Sequence, residues 1–138
     1  MQLVILPVFL GFFTFFYLFL SMRIGYLRGS PVMKLFFKME KEVSEDKLNR
    51  NVRAHGNFSE YFPLFGLLLL NLELMGNTSN EYLIVTTAIF SYGRISHAIC
   101  FAFFDYNPFL RISGMLTTYL GLSLLAYQNI SLVISPLI

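Results

Sequence analysis

Arg53-Ala-His-Gly-Asn57-Phe-Ser-Glu60-Tyr-Phe-Pro63 runs directly into Leu64-Phe-Gly-Leu-Leu-Leu-Leu70, and this junction of charge with a long apolar run decides the architecture. At about 100° per residue on a helix, Arg53, Asn57 and Glu60 fall within roughly 60° of one another. One face therefore carries a cation, an amide and a carboxylate, and the same helix then becomes wholly apolar. Ionisable groups on such a helix are costly in hydrocarbon unless paired or wetted. Two readings are open: an Arg53–Glu60 pair that tethers helices, or a polar site built into a membrane protein.

The rest of the chain supports a membrane setting. Its 138 residues are 56% hydrophobic and 13% charged, with 16 Phe and no Trp. Residues 3–22, 61–72, 82–93 and 112–138 carry no charge. Each lies in a stretch close to the ~20 residues that a spanning helix needs. The expected fold is an all-α membrane protein, a four-transmembrane-helix bundle with helices over 3–24, 49–75, 82–104 and 110–134. Short connections between the last three spans predict a single domain over residues 1–138.

The first span reads as a retained helix and not a cleaved signal. No basic residue precedes its apolar core, while Arg23 and Arg28 come after it. Arg23, Arg28, Lys34, Lys38, Lys41, Lys47, Arg50 and Arg53 account for all the Lys and Arg except Arg94 and Arg111. The positive-inside bias puts that loop in the cytoplasm and both termini on the other side. Glu40, Glu42, Glu45 and Asp46 offset half of its charge, and the net charge of +2 argues against nucleic acid as a partner. Met33 to Lys47, with Leu35, Phe36, Phe37 and Met39 between charges, reads either as a short amphipathic helix at the interface or as a plain solvated loop, and the helix is the favoured expectation.

The second span starts before the bilayer, because Leu48-Asn-Arg50-Asn-Val-Arg53 is too polar for hydrocarbon yet in register with the apolar run of the same helix. Pro63 frees the carbonyl of Ser59 and predicts a kink beside Glu60. A second polar cluster, Gly93-Arg94-Ile-Ser-His97, places Arg94, His97 and Phe101 on one face of the third span. A buried charge needs a counter-charge, so Glu60 is the expected partner of Arg94. The many aromatic residues of the first span read as lipid-facing and packing surface, and the lone Cys100 as a packed small side chain. His55 and His97 have no metal partners at close spacing, and no hydrolase, P-loop or dinucleotide motif is present. What remains is a pocket of arginines, an amide, a carboxylate and tyrosines at the cytoplasmic edge. It suits a small anionic or zwitterionic ligand, since arginine binds carboxylates through paired hydrogen bonds and lowers the pKa of a nearby thiol.

These residues carry a family resemblance. Arg50-Asn-Val-Arg53-Ala-His-Gly-Asn57-Phe-Ser-Glu60-Tyr61-Phe-Pro63 closely follows the second-helix signature of MAPEG, the membrane-associated proteins in eicosanoid and glutathione metabolism. Ser21-Met-Arg23-Ile and Gly93-Arg94-Ile-Ser-His97-Ala98 are similar to its bacterial members. The resemblance spans essentially the whole chain. It implies a homotrimer in a bacterial inner membrane, with glutathione as co-substrate bound between subunits at the cytoplasmic side. By matching positions, Arg53, Asn57, Glu60 and Tyr61 would hold the tripeptide, with Glu60 near its amino group. His55, on the other side of the helix, would serve the adjacent subunit. Arg94 and His97 match third-helix positions, and Arg28 is a further candidate cation. The thiol-activating arginine maps to Arg111 after a one-residue insertion near Asn107. Phe101 departs from the pattern, because several members carry a tyrosine there. The implied activity is a glutathione transferase or peroxidase-like enzyme that detoxifies lipophilic electrophiles. The other reading is a non-catalytic membrane protein that binds a lipid or a small anionic ligand.

Overall fold

The computed structural model describes residues 3–40 and 42–134, and Lys41 of the basic loop lies outside them. Among the described residues the chain is all-helical: α1 (Ile5–Leu27), α2 (Pro31–Phe36), α3 (Glu45–Met75), α4 (Asn80–Phe103) and α5 (Pro108–Ile134). Helices α1, α3, α4 and α5 are long and apolar enough to cross a membrane. The four expected spans are therefore present, each within a few residues of its predicted ends. We refer to the end carrying the α1–α3 loop and the α4–α5 turn as the charged end.

Local chemistry explains the boundaries. The Ser44 hydroxyl accepts from the Lys47 amide at 3.3 Å, with Glu45 and Asp46 in the first turn against the positive end of the α3 dipole. Ser79 caps α4 in the same way through the Tyr82 amide. Asn107 opens α5, its side chain accepting from the Leu110 amide at 3.0 Å. Helix α3 stops at Gly76, whose φ of 69° is left-handed. Pro63 stands inside α3 without ending it: the bonds on either side of the freed carbonyl carry the helix through.

The amphipathic helix expected over Met33–Lys47 is corrected. Before α3 begins at Glu45 only Pro31–Phe36 is helical among the described residues, with none of its residues buried, and residues 37–40 and 42–44 are irregular. One turn and a half gives too few hydrogen bonds to propagate through the charged residues beyond it.

The core is aromatic. Phe65 and Phe90 stack with ring centroids 3.9 Å apart, and Phe9, Phe13 and Phe58 pack around them. The α1 aromatics divide accordingly: Phe9 and Phe13 are buried, while Phe12, Phe15 and Phe19 face outward. Helices α4 and α5 touch backbone to backbone. A Cβ on Gly93 would lie 2.7 Å from the Thr118 amide, one on Gly114 would lie 2.9 Å from the His97 amide, and one on Gly121 would lie 2.8 Å from the Phe90 Cβ. Small residues at these crossings allow the close approach that packs membrane helices, and they press Arg94 and His97 into the bundle.

Candidate functional site

Arg94 projects from the middle of α4 into the protein and is only 1% exposed. Its Nη2 donates to the Asn57 side-chain oxygen on α3 at 2.9 Å, and its guanidinium lies 5.0 Å from the centre of the Tyr61 ring. The Tyr61 hydroxyl in turn lies 3.4 Å from that of Tyr119 on α5. Three helices thus converge on one buried cation. The expected Glu60–Arg94 pair is corrected, because the only ion pairs among the described residues are Lys47–Glu40 and Arg50–Asp105. Asn57 and Glu60 are three residues apart, and it is Asn57 that α3 turns toward α4. Glu60 and Arg53 both lie exposed on the open face of α3, so they do not tether helices either.

One turn further along α4, the His97 ring stacks on Phe101 with centroids 4.8 Å apart. The Arg111 guanidinium sits 5.5 Å from the same Phe101 ring. The ring that lacks a hydroxyl therefore spaces His97 from Arg111. A cleft of about 280 Å³ opens here, lined by Arg50, Phe101, Asp105, Asn107 and Arg111 among others. Cys100 is buried at its edge and donates to the Asn107 carbonyl at 3.3 Å, the packed role its surroundings predict. Three buried nitrogens in this region have no hydrogen-bond partner among the described residues: Arg50 Nε, Arg94 Nε and His97 Nδ1. Orphaned polar atoms in a protein interior are uncommon and call for an explanation such as a bound group.

His55 stands on the opposite side of α3. Its ring lies 4.6 Å from that of Tyr17 on α1, and it lines a groove of about 390 Å³ with Ser21, Arg28 and Val52. One chain therefore carries two separate polar surfaces. Arg53, Asn57, Glu60, Tyr61 and Arg94 occupy one side, His97 and Arg111 meet at the Phe101 ring that lines the cleft, and Arg28 and His55 occupy the other side.

The remaining arginines at the charged end serve structure. Arg23 donates to the Asn51 side chain at 2.7 Å and to the Ala102 carbonyl at 2.8 Å, joining α1, α3 and α4. Arg50 is held by Asp105. Arg28, Arg53 and Arg111 are exposed and have no acidic partner among the described residues, so their charges are available to a ligand. A family model described as the MAPEG family matches residues 6–131.

The chain belongs to the MAPEG family. No curated protein and no solved structure matches it. As a MAPEG protein with four membrane-capable helices it is an integral membrane protein of a family linked to glutathione and eicosanoid chemistry. Three residues of this MAPEG chain escape a reading of its sequence. Tyr119 is hidden by its setting in the apolar repeat of α5, and only its phenol hints at a role. Asp105 reads as part of a turn. Glu73 reads as an isolated charge near a helix end, yet its carboxylate accepts from the amides of Val4, Ile5 and Leu6 at 3.0, 2.8 and 2.8 Å. The available signal for Glu73 was a carboxylate closing a long apolar run, in a chain whose first span opens without a capping residue.

Proposed function

We propose that the protein is a glutathione-dependent transferase, or peroxidase-like enzyme, that works as a homotrimer on lipophilic electrophiles with its site on the cytoplasmic side. The observation that carries this reading is the buried Arg94, held by Asn57 against Tyr61, beside an open face bearing Arg53 and Glu60. Lipid is a poor neighbour for that face, since exposed Arg53, Glu60 and Asn71 lie along one membrane-crossing helix. A second copy packed there would cover it. Such packing also brings the Arg28–His55 groove of one subunit toward the Asn57–Arg94 surface of the next, completing one site from two halves.

The donor set fits the tripeptide. Its two carboxylates call for cations, which Arg53 and Arg28 supply, and its amino group calls for a carboxylate, which Glu60 supplies. Asn57 and Arg94 offer further polar contacts beside them. Arg111, at the first turn of α5, is the cation placed to stabilise the thiolate at the mouth of the cleft. Phe101 and the apolar faces of α4 and α5 leave the sulfur beside lipid, where an apolar electrophile resides.

A thermal-shift titration in detergent tests the reading. A ligand bound to the native state at a hundred times its Kd stabilises it by about 2.7 kcal/mol. Glutathione should raise the Tm, and a thiolate ultraviolet band should grow on binding. Arg111→Ala should then lower turnover more than it raises KM and move the thiol titration to higher pH. A parent protein that glutathione does not stabilise would overturn the proposal.

A further inference from the structure

The Tyr61 and Tyr119 hydroxyls are 3.4 Å apart, beyond the ~2.5–3.0 Å of a well-made O–H···O bond. Neither makes another hydrogen bond among the described residues. Two phenols hold two donor protons and can spend only one on each other. Water is scarce at membrane depth, so an unspent donor there calls for an acceptor. Tyr119 lies eleven residues into α5 from Pro108, about 16 Å along the helix axis and near the middle of a ~30 Å hydrocarbon layer. The pair also marks a boundary. Toward the charged end lie Asn57, Glu60 and Arg94, whereas Leu64 and Leu67 on α3 and Leu116 and Leu120 on α5 are exposed and apolar around and beyond it.

Two donors 3.4 Å apart can converge on a single oxygen at about 2.8 Å from each. We infer that the Tyr61–Tyr119 hydroxyl pair is an oxyanion clamp for the carbonyl oxygen of an apolar α,β-unsaturated carbonyl substrate. The chemistry rests on the proposed glutathione reaction, while the carbonyl site stands on the geometry alone. The thiolate sulfur forms a bond to the β-carbon, and the carbon–carbon π pair shifts to make an enolate whose negative oxygen takes both hydrogen bonds. The enolate then collapses to the carbonyl as the α-carbon takes a proton from water, replacing the one lost when the thiol ionised. Arg94, stacked on Tyr61, keeps that ring in place.

The first test needs no glutathione. A long-chain saturated ketone labelled with ¹³C at its carbonyl is added to the full chain in detergent, and its carbonyl stretch is read by infrared difference spectroscopy. The parent should show a downshifted bound population that Tyr119→Phe and Tyr61→Phe each lose. The absence of that population in the parent, or its persistence in both variants, overturns the clamp. The second test compares two electrophiles with glutathione, an apolar enone and a benzyl chloride whose carbon carries no oxygen. Tyr119→Phe should lose about 10²-fold in kcat on the enone, the scale of removing an oxyanion donor, and less than about threefold on the chloride, while Tyr61→Phe should lose at least as much on the enone. The double variant should fall little below the singles, since the pair acts as a unit. Equal losses on both electrophiles would remove the clamp from the reaction. A bound, downshifted ketone in a protein that glutathione fails to stabilise would instead overturn the glutathione reading and keep the carbonyl site.

Discussion

Glu73 and Arg94 are both ionisable, both buried in helices that cross the membrane, and they are treated in opposite ways. Glu73 is 8% exposed and its two oxygens take three backbone amides from the first turn of α1. Those amides belong to a helix start with no side-chain cap of its own, so the carboxylate and the positive helix end satisfy each other. Arg94 is more deeply buried, yet among the described residues it makes one hydrogen bond, to Asn57, and its Nε has no partner. A satisfied buried charge holds a fold together. A buried charge with unspent donors, set beside an open polar face, is where a ligand has something to gain.

Glu73→Leu should give the largest effect on stability. It orphans two buried amides and one partly buried amide, at roughly 1–3 kcal/mol for each buried unsatisfied group, so a loss of about 3 kcal/mol or more is expected as a lower Tm in detergent. The remaining folded protein should still gain the parent's increment in Tm from glutathione. A variant that keeps its Tm but loses that increment would break the contrast.

Arg94→Met is the converse. Replacing a buried charge by an apolar side chain of similar length removes a desolvation cost along with the bond, so stability should move by no more than about 1.5 kcal/mol. Glutathione affinity should fall by about 1.5–3 kcal/mol, the range for a hydrogen bond to a charged group, measured by titration calorimetry. A fall of several kcal/mol in stability with affinity intact would make Arg94 a second Glu73. Arg53→Ala sharpens the same point from the open face. Its exposed side chain makes no hydrogen bond or ion pair among the described residues, so affinity should drop by a similar ~1.5–3 kcal/mol with the Tm of the ligand-free protein unchanged.

The smallest effect on glutathione affinity is expected from Gly114→Ala. The added Cβ would lie 2.9 Å from the His97 amide and 3.1 Å from the His97 Cβ, and such overpacking costs about 1–3 kcal/mol. Because the clash pushes α4 away from α5 at His97, glutathione affinity should also weaken, though less than in Arg53→Ala. An unchanged affinity would show that the α4–α5 crossing does not position the site.

The sequence by itself determined the membrane setting, the four spans and the family. Uninterrupted apolar runs need only length to be read, and the Arg53–Pro63 signature is local along one helix. It also singled out the chemistry-bearing residues, because charge in an apolar helix is conspicuous wherever it points. Only the tertiary structure decided who meets whom. It paired Arg94 with Asn57 in place of Glu60, set His55 and Arg28 on a different side from Asn57 and Arg94, and spent Arg23 and Arg50 on helix ends. It also brought Tyr119 to Tyr61 across fifty-eight positions of chain. Helical periodicity fixes the face on which a side chain stands, but the rotation of one helix against another is set by packing. In this bundle that packing is governed by Gly93, Gly114 and Gly121, where the absence of a Cβ lets two backbones touch, and no local pattern of charge or hydrophobicity records that contact.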